Sequence, residues 1–215
     1  MADLRQGTYG DYYGSIYTES STLTQSQMET NAAYIYSALT NAGWTPEAIA
    51  GILGNMEHES ALNPGRWQSD NPGATSSGYS LTQWTPATKY LNWCASEGYS
   101  DPSEMDAALA RILWELANGE QYYKTDAYPL TFSQFTQSTE SPYYLACAFA
   151  WNYERSAVVL EGTAAQKEAL RQRRGGAAEA WYKYLTGVDP IPPTPTKKRN
   201  GLPLLLMFLA ARRKV

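Results

Sequence analysis

The stretch Gly51-Ile52-Leu53-Gly54-Asn55-Met56-Glu57-His58-Glu59-Ser60 places two carboxylates and the chain's single histidine at the end of an apolar run. Cleavage of a glycosidic bond needs a carboxylic acid that keeps its proton near neutral pH, and partial burial beside apolar side chains is one way to hold it there. On a helical wheel turning about 100° per residue, Ile49, Ile52, Leu53 and Met56 share one apolar face. Glu59 falls beside Ile52, whereas Glu57 falls on the other edge, suited to solvent or a surface pair. Glu59 also sits at the helix C-terminus, whose partial negative charge disfavours a carboxylate, and burial acts in the same direction. The pattern therefore selects Glu59 over Glu57 as the acid.

The elements that must position this acid read as helices. Met28, Ala32, Ile35, Leu39 and Ala42 recur at helical spacing up to Gly43. Thr45-Pro46-Glu47 is a helix start, with a capping hydroxyl, proline in the first turn and an acid facing the positive helix end. That helix is expected to reach Ser60 and stop at Asn63-Pro64-Gly65. Residues 64–80 are rich in Gly, Ser, Asn and Pro and read as a functional loop or small hairpin. Thr85-Pro86 is expected to open the next helix, and Asp101-Pro102-Ser103-Glu104 to cap one burying Met105, Leu109, Ile112 and Leu116. Ser141-Pro142 starts a helix to Trp151, and Thr163 caps a last one with an interruption or kink at Gly175-Gly176. No sustained alternation marks a strand, so the fold class is mainly α. The division expected is an N-terminal arm over 1–23, a helical domain over 24–187, a Pro-rich basic linker over 188–200 and a hydrophobic tail over 201–215.

At 215 residues the chain can bury one good core. Its net charge is −4, but six of its 17 basic residues lie after Thr196. The preceding residues carry 11 basic against 21 acidic side chains, a balance of −10, which argues against nucleic acid as a partner. Seventeen tyrosines and seven tryptophans suit a groove that stacks on sugar rings. The two cysteines, Cys94 and Cys147, sit in apolar helical patterns and read as buried free thiols rather than a disulfide framework. The start Met1-Ala2-Asp3-Leu4-Arg5 has no apolar stretch of the kind a secretory signal peptide needs.

Gly-Asn-Met-Glu-His-Glu-Ser, followed by Asn63-Pro64 and then Gly78-Tyr79-Ser80-Leu81-Thr82-Gln83-Trp84, resembles the phage tail lysozymes, relatives of goose-type lysozymes and lytic transglycosylases. Ser80 stands where the wider group has a second glycine. Ala150-Trp151-Asn152-Tyr153-Glu154-Arg155 looks like a third motif, an aromatic-Glu-Arg segment near the cleft. The likeness spans about residues 30–186 and implies a lysozyme-like helical domain with a small loop or hairpin beside its groove. It further implies that Glu59 protonates the glycosidic oxygen between N-acetylmuramic acid and N-acetylglucosamine, and that Gln83 and Tyr153 touch sugar or the reacting centre. Trp67, Tyr79 and Trp84 are candidate stacking surfaces. Asp70, eleven residues beyond Glu59, is the candidate second carboxylate, with an ordinary Asp-Asn-Pro turn as the other reading. Without such a partner the substrate's own acetamido or 6-hydroxyl group can act, as in lytic transglycosylases. No metal or organic cofactor is expected.

Other chemistries fit less well. Zinc peptidase sites draw on two or more histidines, and this chain has only His58. A Cys94 or Cys147 nucleophile would follow His58 in the chain, the reverse of the common cell-wall Cys-His enzymes. The remaining alternative is a non-enzymatic tail component that keeps a lysozyme-like fold for wall binding or plugging. Val188–Thr196 carries four prolines in nine residues and leads to Leu202–Ala211, apolar throughout but for the break at Pro203. Ten helical residues reach about 15 Å, half of a ~30 Å hydrocarbon core, so this run is too short to span a membrane. Its basic flanks and apolar centre suit contact with a host membrane, or docking in a channel of a larger assembly. The expected partners are thus peptidoglycan glycan strands, other phage tail proteins and a host membrane through 201–215. The expected location is the phage tail of the virion, acting on the host wall during penetration.

Overall fold

The computed structural model describes residues 3–9 and 12–190; the Pro-rich segment after Pro190 and the tail over 201–215, with the membrane and channel readings placed on it, lie outside the described residues. A hairpin of β1 (Asp3–Tyr9) and β2 (Tyr12–Thr18) precedes eight α-helices among the described residues. These are α1 (Gln25–Asn41), α2 (Pro46–Ser60), α3 (Thr88–Ser96), α4 (Met105–Asn118), α5 (Phe132–Thr136), α6 (Pro142–Phe149), α7 (Ala157–Glu161) and α8 (Ala164–Thr186). The chain is mainly helical.

The central element is α2. Thr45 caps it by accepting from the Ala48 N–H at 3.2 Å, and Pro46 occupies the first turn. Ile49, Ile52, Leu53 and Met56 are fully buried, each contributing about 1.5–3 kcal/mol relative to exposure. The opposite faces are kept narrow by glycine, which lets two helices lie against α2 at once. A Cβ on Gly51 would come within 2.9 Å of the Leu145 Cβ on α6. One on Gly54 would come within 2.6 Å of the Arg174 carbonyl and 2.7 Å of the Ala178 N on α8. Asn55, fully buried, bridges the same layers by donating to the carbonyls of Gly51 at 3.0 Å and Ala146 at 2.9 Å. The result is a cluster of three mutually packed helices, α2, α6 and α8, with α1 packed beside α2.

Several boundaries differ from the sequence reading for local reasons. Residues 3–18 are not an extended arm: β1 and β2 pair antiparallel from Asp3↔Thr18 to Tyr9↔Tyr12. Ile16 and Thr18 point inward against α1, and Asn31 of α1 accepts from the Tyr17 N–H at 2.6 Å and donates to the Tyr17 carbonyl at 2.8 Å. The last helix is unbroken through Gly175-Gly176. Gly175 serves packing rather than a kink, since a Cβ there would run into the Tyr143 ring. Helix α3 begins at Thr88, two residues after Pro86. Asp101 accepts from the Ser103 N–H at 2.9 Å and the Ser103 hydroxyl at 2.6 Å, so it closes a turn ahead of α4 instead of capping it. Helix α6 stops at Phe149 and passes into a π-turn over Ala150–Glu154.

Two glycines on adjoining helices provide opposite tests. Gly54→Ala should lower the stability measured by urea unfolding by about 3 kcal/mol, because backbone on α8 must move. Gly176→Ala, on an exposed helical position with nothing within 4 Å, should raise it by about 0.5–1 kcal/mol.

Candidate active site

Helix α2 ends in two consecutive left-handed residues, Ala61 (φ 55°) and Leu62 (φ 53°), which turn the chain sharply after Ser60. Ser60 is fully buried and donates to the Leu81 carbonyl at 2.9 Å. That bond fastens the end of the acid-bearing helix to the segment 78–84. The loop before it is ordered by its own backbone: Tyr79 bridges both Trp67 and Trp84, and a 3-10 turn spans Gln68–Asp70. This is the small hairpin-like element expected beside the groove.

Between this element and the π-turn lies a cleft of about 460 Å³ lined by Glu59, Arg66, Gln83, Thr82 and Glu154, among others. Glu59 has 21% of its side chain exposed and is ion-paired with Arg174 of α8, which is 8% exposed. Arg174 also donates to the Asn55 carbonyl at 2.6 Å, so its guanidinium is pinned to α2 at two points. Glu59 is thus held by a guanidinium and not by apolar neighbours alone.

The group that holds a proton here is Glu154. It is half-buried as a residue, with Oε1 shut off from solvent and without a hydrogen-bond partner. Burial first, and the neighbouring Glu59 carboxylate second, push its carboxyl well above the usual range, while Arg174 pulls the other way. One guanidinium thus acts on two carboxylates. Glu154 reaches the cleft because the π-turn adds a residue to the last turn of α6: the Arg155 N–H donates to the Ala150 carbonyl at 2.9 Å, five residues back.

The other expected site residues divide. Gln83 lines the cleft, but its amide also braces the loop by donating to the carbonyls of Ser80 at 2.8 Å and Arg66 at 3.2 Å. Tyr153 is buried below the cleft, its hydroxyl bonded to Glu115 and 3.4 Å from the Thr82 hydroxyl. Trp84 is also buried and donates to the same Glu115 at 2.9 Å, as does Arg111 at 2.9 Å. Burial holds the Glu115 carboxyl above its ordinary range, against these hydrogen bonds. Tyr79 is packed between Trp67 and Tyr90, with ring centroids at 4.4 and 5.9 Å, and offers no open face. Trp67 is partly buried on that stack. Asp70 is half-exposed, outside the cleft lining, and ion-paired with Arg66 at 3.3 Å. The carboxylate that joins Glu59 in the cleft is therefore Glu154, with Asp70 one step removed behind Arg66. Glu57 accepts from Trp181 Nε1 at 2.7 Å and does not line the cleft.

A helical domain whose buried central helix ends in a glutamate above a cleft defines a lysozyme-like protein. The chain belongs to the phage tail lysozyme family, whose description matches residues 30–185. It is also similar to Morphogenesis protein 1 of Bacillus phage B103, 44% identical over 171 residues. That alignment covers 80% of this chain and 43% of the relative, so the chain spans less than half of that protein's length.

The raised affinity of Glu154 for its proton has a stability consequence. The folded carboxyl binds the proton more tightly than the unfolded one, so its favourable contribution is complete below about pH 4.5 and is lost as pH rises through the folded value. Glu154→Gln removes that loss. Its Tm should match that of the native chain near pH 4 and exceed it at pH 8, measured by calorimetry.

Proposed function

We propose that this protein cleaves the glycan strand of peptidoglycan between N-acetylmuramic acid and N-acetylglucosamine, with the Glu59–Glu154 pair supplying the acid. The observation that carries this reading is two carboxylates lining one cleft, with the Arg174 guanidinium paired to Glu59 and acting on Glu154 as well. Two such groups with a single counter-ion retain one proton above the ordinary carboxylate range, the condition for general acid work near neutral pH. Glu59 is the member that reaches the glycosidic oxygen. Glu154, further withdrawn, holds the proton at rest and supplies it to Glu59 for delivery. Arg174 holds Glu59 in place and steadies its negative charge once the proton has left. Deprotonated Glu59 then acts as base toward water, giving a reducing end, or toward the muramyl 6-hydroxyl, giving a 1,6-anhydro end.

The setting that fits is a phage tail protein opening the host wall at infection, in line with the family. The relative's name, a morphogenesis protein, favours a second reading in which the fold serves assembly of the particle without catalysis.

A turbidity assay on purified peptidoglycan separates the two. Glu59→Gln should lower clearing by about 10³-fold, since it removes the transferred proton. Equal clearing by the variant and the native chain would sink the enzymatic reading. Glu154→Gln should lower kcat more than it raises KM. Mass spectrometry of the released muropeptides reads the outcome directly as reducing or anhydro ends.

A further inference from the structure

Beyond the acid cleft lies a second chamber of about 380 Å³, which shares Thr82, Gln83, Thr85 and Glu154 with the first. Its character is different. Lys89 of α3 and Arg155, directly after the π-turn, both line it. Among the described residues neither is ion-paired with a carboxylate. In a chain whose first 196 residues carry a balance of −10, the chamber thus gathers two cations without a carboxylate partner.

Arg155 is also held in a fixed pose. Its backbone is left-handed at φ 46°, a conformation costing a non-glycine residue about 1 kcal/mol. Its guanidinium lies 4.4 Å from the centroid of the Tyr123 ring. Gln121, likewise left-handed at φ 64°, is fastened to the Tyr153 carbonyl at 3.1 Å and completes that side. Leu160 of α7 lines the chamber with 64% of its surface exposed, adding an apolar rim. A cationic wall, a preset guanidinium and an apolar lip match an acidic peptide with small aliphatic side chains.

We infer that this second chamber binds the carboxylate-bearing peptide stem carried by the muramyl residue, while the first chamber holds the sugars. The inference rests on the glycan-cleaving reading and extends it to substrate selection: strands that bear stems are preferred to stripped ones. The stem is attached to the muramyl sugar itself, so an anion site that adjoins the sugar chamber is placed to meet it. A phosphate polymer of the wall would share the charge but brings no aliphatic side chains to the Leu160 rim.

The test is direct binding, by calorimetric titration of the full chain. The probes are an N-acetylglucosaminyl-N-acetylmuramyl tripeptide with free carboxylates, the same disaccharide without its peptide, and inorganic phosphate. The disaccharide lacks the muramyl-to-glucosaminyl bond, so turnover does not interfere. The native chain should bind the stem-bearing probe at least about tenfold more tightly than the bare disaccharide, the ratio falling as salt rises. Lys89→Gln with Arg155→Asn, the second chosen because Asn tolerates the left-handed backbone, should remove that preference and leave binding of the bare disaccharide unchanged. Equal binding of the two saccharides by the native chain would overturn the stem site and leave the glycan reading standing. So would a double variant that keeps the preference, or phosphate at millimolar concentration competing as well as the stem-bearing probe. Binding of neither saccharide would overturn the glycan reading and the stem site together.

Discussion

The close contact between α2 and α8 is the constraint from which the cleft follows. It is possible only because Gly54 has no side chain, so that the Arg174 carbonyl and Ala178 can lie against it. The same approach delivers the Arg174 guanidinium to the end of α2, where it bonds the Asn55 carbonyl and the Glu59 carboxylate. Burying an arginine is costly without partners, and here the partners are fixed backbone and a fixed acid. Packing geometry and site electrostatics are therefore one feature. Displacing α8 would remove the counter-ion from Glu59 as surely as mutating it.

A second layer of organisation lies beneath the cleft. Glu115 on α4 gathers Trp84, Arg111 and Tyr153, joining the loop over 78–84, the helix α4 and the π-turn through one buried carboxyl. Tyr153 and Trp84 meet at this junction: both line the second chamber, their rings are largely buried, and their polar atoms bond Glu115. Such satisfied networks fix a unique arrangement, and here they fix the distance between the two walls of the cleft.

The sequence reveals the central helix well because its signals are local. Thr45 and Pro46 mark its start, its apolar face is continuous, and the wheel separates Glu59 from Glu57, which turns instead to Trp181. The hairpin is harder to read because its strands are built from Tyr, Gly, Ser and Thr, with Ile16 the apolar anchor. The glycine pair of α8 misleads, since a glycine demanded by a neighbouring ring looks in sequence like one that breaks a helix. Asp70 was attractive through nearness in sequence, yet its partner is Arg66, four residues away. Glu154 and Arg174 meet Glu59 from 95 and 115 residues further along the chain, and only three-dimensional packing brings them there. The π-turn that orients Glu154 has no sequence pattern of its own.

The Ser60–Leu81 bond makes the two sides of the cleft mechanically unequal. On one side, the acid-bearing helix and the loop over 78–84 form a single stiff jaw, clamped from within and backed by the layer of α6 and α8. On the other, the chain beyond Glu154 passes through one left-handed residue into α7, a helix of five residues with a single buried side chain, Val159. Glu59 therefore stands on the side with the most buried anchors, and the chain beyond Glu154 on the side with the fewest.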